Sequence, residues 1–246
     1  MDLLSGRRFE APDQAFRGHR DILTRSAARY SFVAPHLSGL VLDIGCGRGY
    51  GLEVIGRAGL VAVGVDLSLE FLRDARTRLA TAPLVNASGD RLPFSSGSFD
   101  SIISFDVIEH IDDDQGFLGE IKRLAREDAF IAISTPNRLV SSGKQNTPLD
   151  RFHVREYCSD ELYSLLAGTF SSVTISGQSE KAAGDSPRTV LSRLIDRIPI
   201  RWKYLLPAYI QDLFSITMRP PLKLQEIQFE QEGLQTAHTY VALCRR

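Results

Sequence analysis

A chain of 246 residues is long enough for one α/β domain with a large core and too short for two such domains, so residues 1–246 are read as a single unit. Lysine and arginine number 29 against 30 aspartates and glutamates, a formal net charge of −1, which leaves no global field to draw the chain onto nucleic acid or anionic lipid. Its three cysteines, Cys46, Cys158 and Cys244, are widely spaced and form no C-x-x-C pair, which argues against a disulfide framework and a zinc site, so no metal is expected and a reducing cytoplasm suits the chain.

The opening stretch, MDLLSGRRFEAPDQ, has no apolar run after its charges. Nowhere does an uninterrupted apolar stretch approach the roughly 18 residues that a membrane span needs, so a cytoplasmic protein without a transmembrane segment is expected. From residue 11 to 37 the apolar side chains Phe16, Ile22, Leu23, Ala27, Tyr30 and Val33 recur at helical spacing, and Pro12 suits a first helical turn; this predicts an N-terminal helix.

Short β-rich runs then alternate with amphipathic segments. The spacing predicts a strand over 40–44, a helix near 50–57, a strand over 61–65, a helix over 69–80 and a strand over 84–87. A strand over 101–105, a helix over 115–126 and a strand over 129–134 follow. After a polar loop come a helix over 160–167 and a strand over 173–175, and 239–244 closes the series. Strands alternating with helices in this way make a parallel sheet covered on both faces, an α/β fold. Between the last two strands, residues 178–235 are far more than a hairpin needs and predict an insertion with its own structure. Its middle, RTVLSRLIDRIPIRWKYLLPAYIQDLF, interleaves arginines with apolar residues and is broken by Pro199 and Pro207, so the insertion is expected to be helical.

The most informative segment is Val41-Leu42-Asp43-Ile44-Gly45-Cys46-Gly47-Arg48-Gly49, an apolar strand that ends in an acid and runs into alternating glycines before a helix. Such a turn brings backbone against a ligand. A dinucleotide fingerprint would put a third glycine where Tyr50 stands, which disfavours a nicotinamide cofactor. D-x-G-x-G-x-G suits instead a ligand without pyrophosphate, such as S-adenosylmethionine, whose amino-acid portion approaches the loop while the acid helps hold its ammonium group. Gly64-Val65-Asp66-Leu67-Ser68 ends the next strand with an acid able to accept from both ribose hydroxyls. Gly89-Asp90-Arg91-Leu92-Pro93-Phe94 follows the third strand, and Asp90 there can accept from the adenine amino group. Three acids on successive strand ends describe a crevice outside the carboxyl edge of the sheet.

With these residues in view, the sequence resembles the class I S-adenosylmethionine-dependent methyltransferases of the type 11/12-like, small-molecule and glycan-modifying bacterial branch. The resemblance runs over roughly residues 38 to 177 plus the last strand and is carried by VLDIGCGRG, GVDLS, GDRLPFSSGSFDSIISFDVIEHI, AISTPNR and FHVREY. It implies a Rossmann-like seven-stranded mixed sheet, order 3-2-1-4-5-7-6, with one antiparallel strand. It also implies that Asp43, Gly45, Gly47, Asp66, Leu67, Asp90, Arg91 and Phe105 line the cofactor site, with Leu67 packed on adenine.

The sulfonium makes the methyl electrophilic, so such an enzyme chiefly aligns the acceptor and excludes water. A hydroxyl acceptor must still lose its proton, and histidine is the natural base near neutral pH. His110 follows the fourth strand, beside the place where the methyl should point, and His153 lies in the loop after the fifth; these are the candidate catalytic residues. Arg155 and Tyr157 are candidates for shaping substrate access, and Trp202 and Tyr204 for stacking on an acceptor ring. The expected reaction is O-methylation of a sugar or natural-product hydroxyl, leaving S-adenosylhomocysteine, with N- or C-methylation or bare cofactor binding as rivals. No nucleic-acid partner is expected; the insertion suits a lid, a dimer surface in a monomer or homodimer, or a peripheral membrane contact.

Overall fold

The computed structural model describes residues 16–143, 147–180 and 223–246. Helix α1 spans Phe16–Val33 and is extended by a 3₁₀ turn over Ala34–His36. Then follow β1 (Leu40–Ile44), α2 (Tyr50–Arg57), β2 (Val61–Asp66), α3 (Leu69–Arg78), β3 (Leu84–Asn86), β4 (Phe99–Phe105), α4 (Asp114–Leu124) and β5 (Ala125–Pro136). Beyond these lie α5 (Arg138–Ser141), α6 (Ser159–Ala167), β6 (Ser172–Glu180), β7 (Ile227–Glu230) and β8 (Thr239–Arg245).

The sheet order is β3-β2-β1-β4-β5-β8-β6-β7. β1 to β5 pair in parallel, β8 runs antiparallel between β5 and β6, and β7 runs antiparallel on the outer edge of β6. The expected order therefore holds with one correction, because the sheet has eight strands rather than seven. The extra strand comes from the segment expected to be a helical insertion: residues 178–180 prolong β6, and Ile227–Glu230 pair with Gly177–Glu180. Alternating side chains explain the difference. In the ladder Gln178 stands opposite Phe229, and Phe229 stacks on Phe32 of α1 with ring centroids 4.1 Å apart. The expected helices between these ends, with Trp202 and Tyr204, lie outside the described residues, as do positions 11–15 of the expected N-terminal helix.

Period-two alternation divides the core into two layers. Leu42, Ile44, Ile102, Ile131, Ile133, Tyr240 and Ala242 face α4 and α6, where Phe117, Leu118, Ile121, Leu162 and Leu166 are buried against them. The intervening residues Val41, Ile103, Ala132 and Val241 face the other way, onto Tyr30 and Val33 of α1, Leu52 and Ile55 of α2 and Leu72 of α3. Strands buried on both faces read as near-continuous apolar runs, as these do. Helix starts follow their caps: the Ser68 hydroxyl accepts from the N–H of Phe71 at the start of α3, and the Asp113 carboxylate accepts from Gly116 at the start of α4.

Two further features steady the carboxyl edge. Asn137 is fully buried, and its amide donates to the carbonyls of Leu234, Gln235 and Ala237 at 2.8–3.2 Å, holding the approach to β8. On the opposite face, Arg29 Nη1 donates to Gln178 Oε1 (2.9 Å), Gln178 Nε2 donates to the Arg25 carbonyl (2.9 Å), and Arg25 pairs with Glu180. α1 is thus clasped to β6 across the sheet. Among the described residues no helix is long and apolar enough to cross a membrane.

Candidate active site

A cavity of about 500 Å³ opens at the carboxyl ends of β1, β2 and β4 and is covered by Ile22, Leu23, Ser26, Arg29 and Tyr30 of α1. Its floor is the loop after β1, where Gly45, Gly47 and Gly49 have φ of 76°, 53° and 77°. These left-handed values fold the chain back under α2 and are costly for any residue with a Cβ. The N–H groups of Gly45 and Cys46 both donate to the Val65 carbonyl, at 2.8 and 2.9 Å, so the loop is pinned to the end of β2.

Asp66 ties the same two elements together. Its Oδ2 accepts from the N–H of Gly47 and its Oδ1 from that of Ser68, both at 2.8 Å. Burial pushes its pKa up from the ordinary carboxylate value, against the opposing pull of the two N–H donors. An ionised carboxylate has about four lone-pair sites, so the two that remain after these bonds are left for a diol. Asp66, Gly45, Gly47, Leu67 and Phe105 all line the cavity.

Three expected cofactor residues lie elsewhere. Asp43 is fully buried beneath the loop and outside the cavity lining. There the Tyr30 hydroxyl lies 3.0 and 3.1 Å from its two oxygens. Burial raises its pKa to about 7, the Tyr30 hydrogen bond opposing. Asp90 and Arg91 are exposed, and the wall near them is made by Ala87 and Gly89.

The Asp43 environment carries a prediction. A carboxyl whose pKa rises from 3.8 unfolded to about 7 folded binds its proton more tightly in the native state, so its stabilisation is present at low pH and is lost as pH rises from about 4 to about 7, by about 4 kcal/mol at most. Asp43→Asn removes that loss, and the Tyr30 hydroxyl can still bond to the amide. At pH 8 the variant should melt about 5 °C above the wild type, corresponding to about 2 kcal/mol, and at pH 4 the two should nearly coincide. Parallel melting-temperature profiles across that range would refute the assignment.

Sequence reasoning missed several wall residues. Asp106 follows Phe105 at the end of β4 and is the one non-glycine with positive φ (55°) among the described residues. Its Oδ1 accepts from the Ser134 hydroxyl at 2.8 Å, its N–H donates to the Ser134 carbonyl at 3.0 Å, and its Oδ2 pairs with Arg29. A left-handed aspartate costs about 1 kcal/mol or more, and these bonds offset it. The signal that could have found it was present: it is another acid at a strand end, like Asp43 and Asp66. Tyr30 enters the sequence reading only as a helix position and Arg29 not at all, because nothing in the local sequence says that α1 crosses the cavity mouth.

The far end of the same cavity is built from Glu109, His110, Asp150 and His153. Glu109 is 1% exposed and accepts from the Thr135 hydroxyl at 3.1 Å. Burial, and then the neighbouring Asp106, push its pKa well above the ordinary glutamate value. Its carbonyl accepts from the N–H groups of Val154 and Arg155, which fixes the His153 loop over the cavity. The His110 and His153 rings meet edge to face, centroids 5.0 Å apart. Nδ1 of His110 lies 2.9 Å from the Phe152 carbonyl oxygen and Nδ1 of His153 lies 2.6 Å from Oε1 of Glu156. The structure therefore brings both candidate histidines to one place. One donor atom each from Glu109, His110 and His153 falls within 4.8 Å of the others, so these are the described residues nearest to a metal-binding set.

Behind His153, burial works to raise the Glu156 pKa, but the hydroxyls of Ser141 and Ser142 and the His153 ring outweigh it and hold the carboxyl below its usual range. Tyr157 is fully buried in the core with its hydroxyl on Asp114 at 3.1 Å, and Arg155 pairs with the same carboxylate. Neither lines the cavity.

Comparison with known proteins agrees with this geometry. A family model described as "Methyltransferase domain" matches residues 42–133. A Mycobacterium tuberculosis protein named "Probable S-adenosylmethionine-dependent methyltransferase" is 34% identical over 151 residues, covering 61% of this chain and 53% of its own length. The chain thus spans about half the length of the curated relatives it matches. Among solved structures, a Thermotoga maritima protein titled as an S-adenosylmethionine-dependent methyltransferase, possible histamine N-methyltransferase, superposes with a TM-score of 0.60 at 14% identity, covering 94% of this chain and 96% of that one. An S-adenosylmethionine-dependent methyltransferase from Archaeoglobus fulgidus gives 0.59 at 21%, covering 95% and 97%. At these identities the superpositions establish the fold.

Proposed function

We propose that this chain, whose residues 42–133 match the "Methyltransferase domain" model, is a class I S-adenosylmethionine-dependent methyltransferase that moves the methyl of S-adenosylmethionine onto a hydroxyl oxygen of a small molecule or sugar and releases S-adenosylhomocysteine. The supporting observation is continuity: one cavity runs from the glycine loop and Asp66 to the pair His110 and His153. A nucleoside at the first end directs its sulfonium toward the second, and closing that space against water is much of what the transfer needs. In this reading Asp66 binds the ribose, Leu67 and Gly89 border the adenine with Asp90 and Arg91 at its rim, and Asp43 acts from beneath the loop.

The acceptor end favours a neutral polyol. Asp106, Asp150 and the two imidazoles offer mostly hydrogen-bond acceptors, whereas the cavity arginines Arg29 and Arg48 are each paired with carboxylates. Hydroxyl donors satisfy such a wall, and an anionic acceptor would be repelled. The same carboxylates suit an amine, so N-methylation is the second reading.

The test is transfer of tritiated methyl from S-adenosylmethionine to a panel of mono- and oligosaccharides, phenols and amines. Label in an alkali-stable methyl ether is the expected result. Label on nitrogen alone would select the second reading. S-adenosylhomocysteine binding without transfer would make the chain a cofactor-binding protein, and absence of binding by folded protein would end the proposal.

A further inference from the structure

What stands behind the two histidines differs. His110 Nδ1 faces a neutral carbonyl, that of Phe152, at 2.9 Å. His153 Nδ1 faces the carboxylate of Glu156 at 2.6 Å, and that side chain is 1% exposed. The other Glu156 oxygen accepts from the Ser141 hydroxyl at 2.6 Å, so the carboxylate cannot swing away without breaking a second bond. A carboxylate has only acceptors to offer, so the proton between it and the ring belongs on Nδ1, and Nε2 is left with its lone pair. His153 Nε2 is 3.7 Å from Oδ2 of Asp150, and both residues line the cavity.

Resting on the methyl-transfer reading above, we infer that Glu156 is a positioning residue that holds His153 in its Nδ1–H form so that Nε2 takes the proton of the acceptor hydroxyl. In that step a lone pair of the acceptor oxygen forms the O–CH₃ bond as the S–CH₃ bond breaks and its electron pair returns to sulfur. The O–H electron pair stays on oxygen and the proton moves to Nε2. The products are a methyl ether, S-adenosylhomocysteine and an imidazolium flanked by Glu156 and Asp150, which returns its proton to solvent. The titratable groups facing His153 are Glu156 and Asp150 on its own loop, and Glu109 and His110 from the turn after β4. His110 then serves as the edge-on neighbour that limits rotation of the ring.

The arrangement resembles the carboxylate-held histidine of hydrolytic triads, where replacing the acid by its amide leaves the ring in the wrong tautomer and lowers turnover about 10⁴-fold. The experiment is imidazole ¹⁵N–¹H NMR on the full chain with labelled histidine, near pH 8, with and without S-adenosylhomocysteine, the His153 signal being assigned by its loss in His153→Ala. The wild type should carry the proton on Nδ1; Glu156→Gln should move it toward Nε2, and Glu156→Asp should keep it on Nδ1. With any acceptor that is methylated, Glu156→Gln should lower kcat about 100-fold or more with KM for S-adenosylmethionine unchanged, and Glu156→Asp should recover part of it.

A His153 protonated on Nε2 in the wild type, or unchanged by Glu156→Gln, would overturn the inference. So would restoration of a chelator-inactivated enzyme by zinc or manganese with loss of the Nε2 signal, since that nitrogen would then be a metal ligand. If Glu156→Gln does not fold, the wild-type tautomer and Glu156→Asp decide. Failure of the protein to bind S-adenosylhomocysteine would remove the methyl-transfer reading while the tautomer measurement still judges the Glu156–His153 pair.

Discussion

Asp66→Ala should weaken S-adenosylhomocysteine binding about 100-fold while the domain stays folded. Two hydrogen bonds from ribose hydroxyls to a buried carboxylate are worth about 3 kcal/mol together. The variant also orphans the N–H groups of Gly47 and Ser68, which loosens the glycine loop. The fold survives because Ser68 still caps α3 through Phe71. Since burial raises the Asp66 pKa and binding uses the ionised form, wild-type affinity should fall with decreasing pH, beginning above the range of an ordinary aspartate. Calorimetry that finds unchanged affinity in Asp66→Ala would remove the ribose assignment.

Gly45→Ala should cost about 3 kcal/mol of stability and abolish measurable cofactor binding. A Cβ here meets two separate penalties. The backbone φ of 76° is left-handed, worth about 1–2 kcal/mol against alanine. The added carbon would also lie 2.3 Å from Cγ2 of Val107, an overlap that costs about 1–3 kcal/mol to relieve. The two separate in a double-mutant cycle: Val107→Ala in the Gly45→Ala background should recover the overlap part and leave the backbone part. By contrast Gly47→Ala, with nothing within 4 Å of its added Cβ, should lose only the backbone share. Urea midpoints that are equal for the two alanine variants would contradict this division.

Much of the parallel half of the sheet was legible because its strands are apolar runs of ordinary length and its helices carry clean 3.6-residue periodicity. The strand over Leu40–Ile44 and the helix over Tyr50–Arg57 have the bounds that the pattern predicts. β7 was missed for a physical reason: four residues with mixed burial, Ile227–Glu230, make no period of their own, and their strand character comes from the edge they join. At the site, glycines and acids that work through local backbone were visible, since spacing along one turn decides what they touch. Tyr30 and Arg29 act on Asp43 and Asp106 across 13 and 77 positions, so no short window of sequence contains both partners, whereas Glu156 lies three residues from His153. Even there, H-x-x-E in a loop is too common a spacing to single out.

The clasp between α1 and β6 has a mechanical consequence. Gln178 and Glu180 hold the helix that covers the cavity, yet β6 reaches the parallel strands through β8. A load on α1 is therefore shared between that antiparallel ladder and the parallel strands that Tyr30 and Arg29 reach directly. Part of what holds α1 over the cavity thus lies in side chains outside its lining, Gln178 and Glu180, beside the direct ties of Tyr30 to Asp43 and of Arg29 to Asp106.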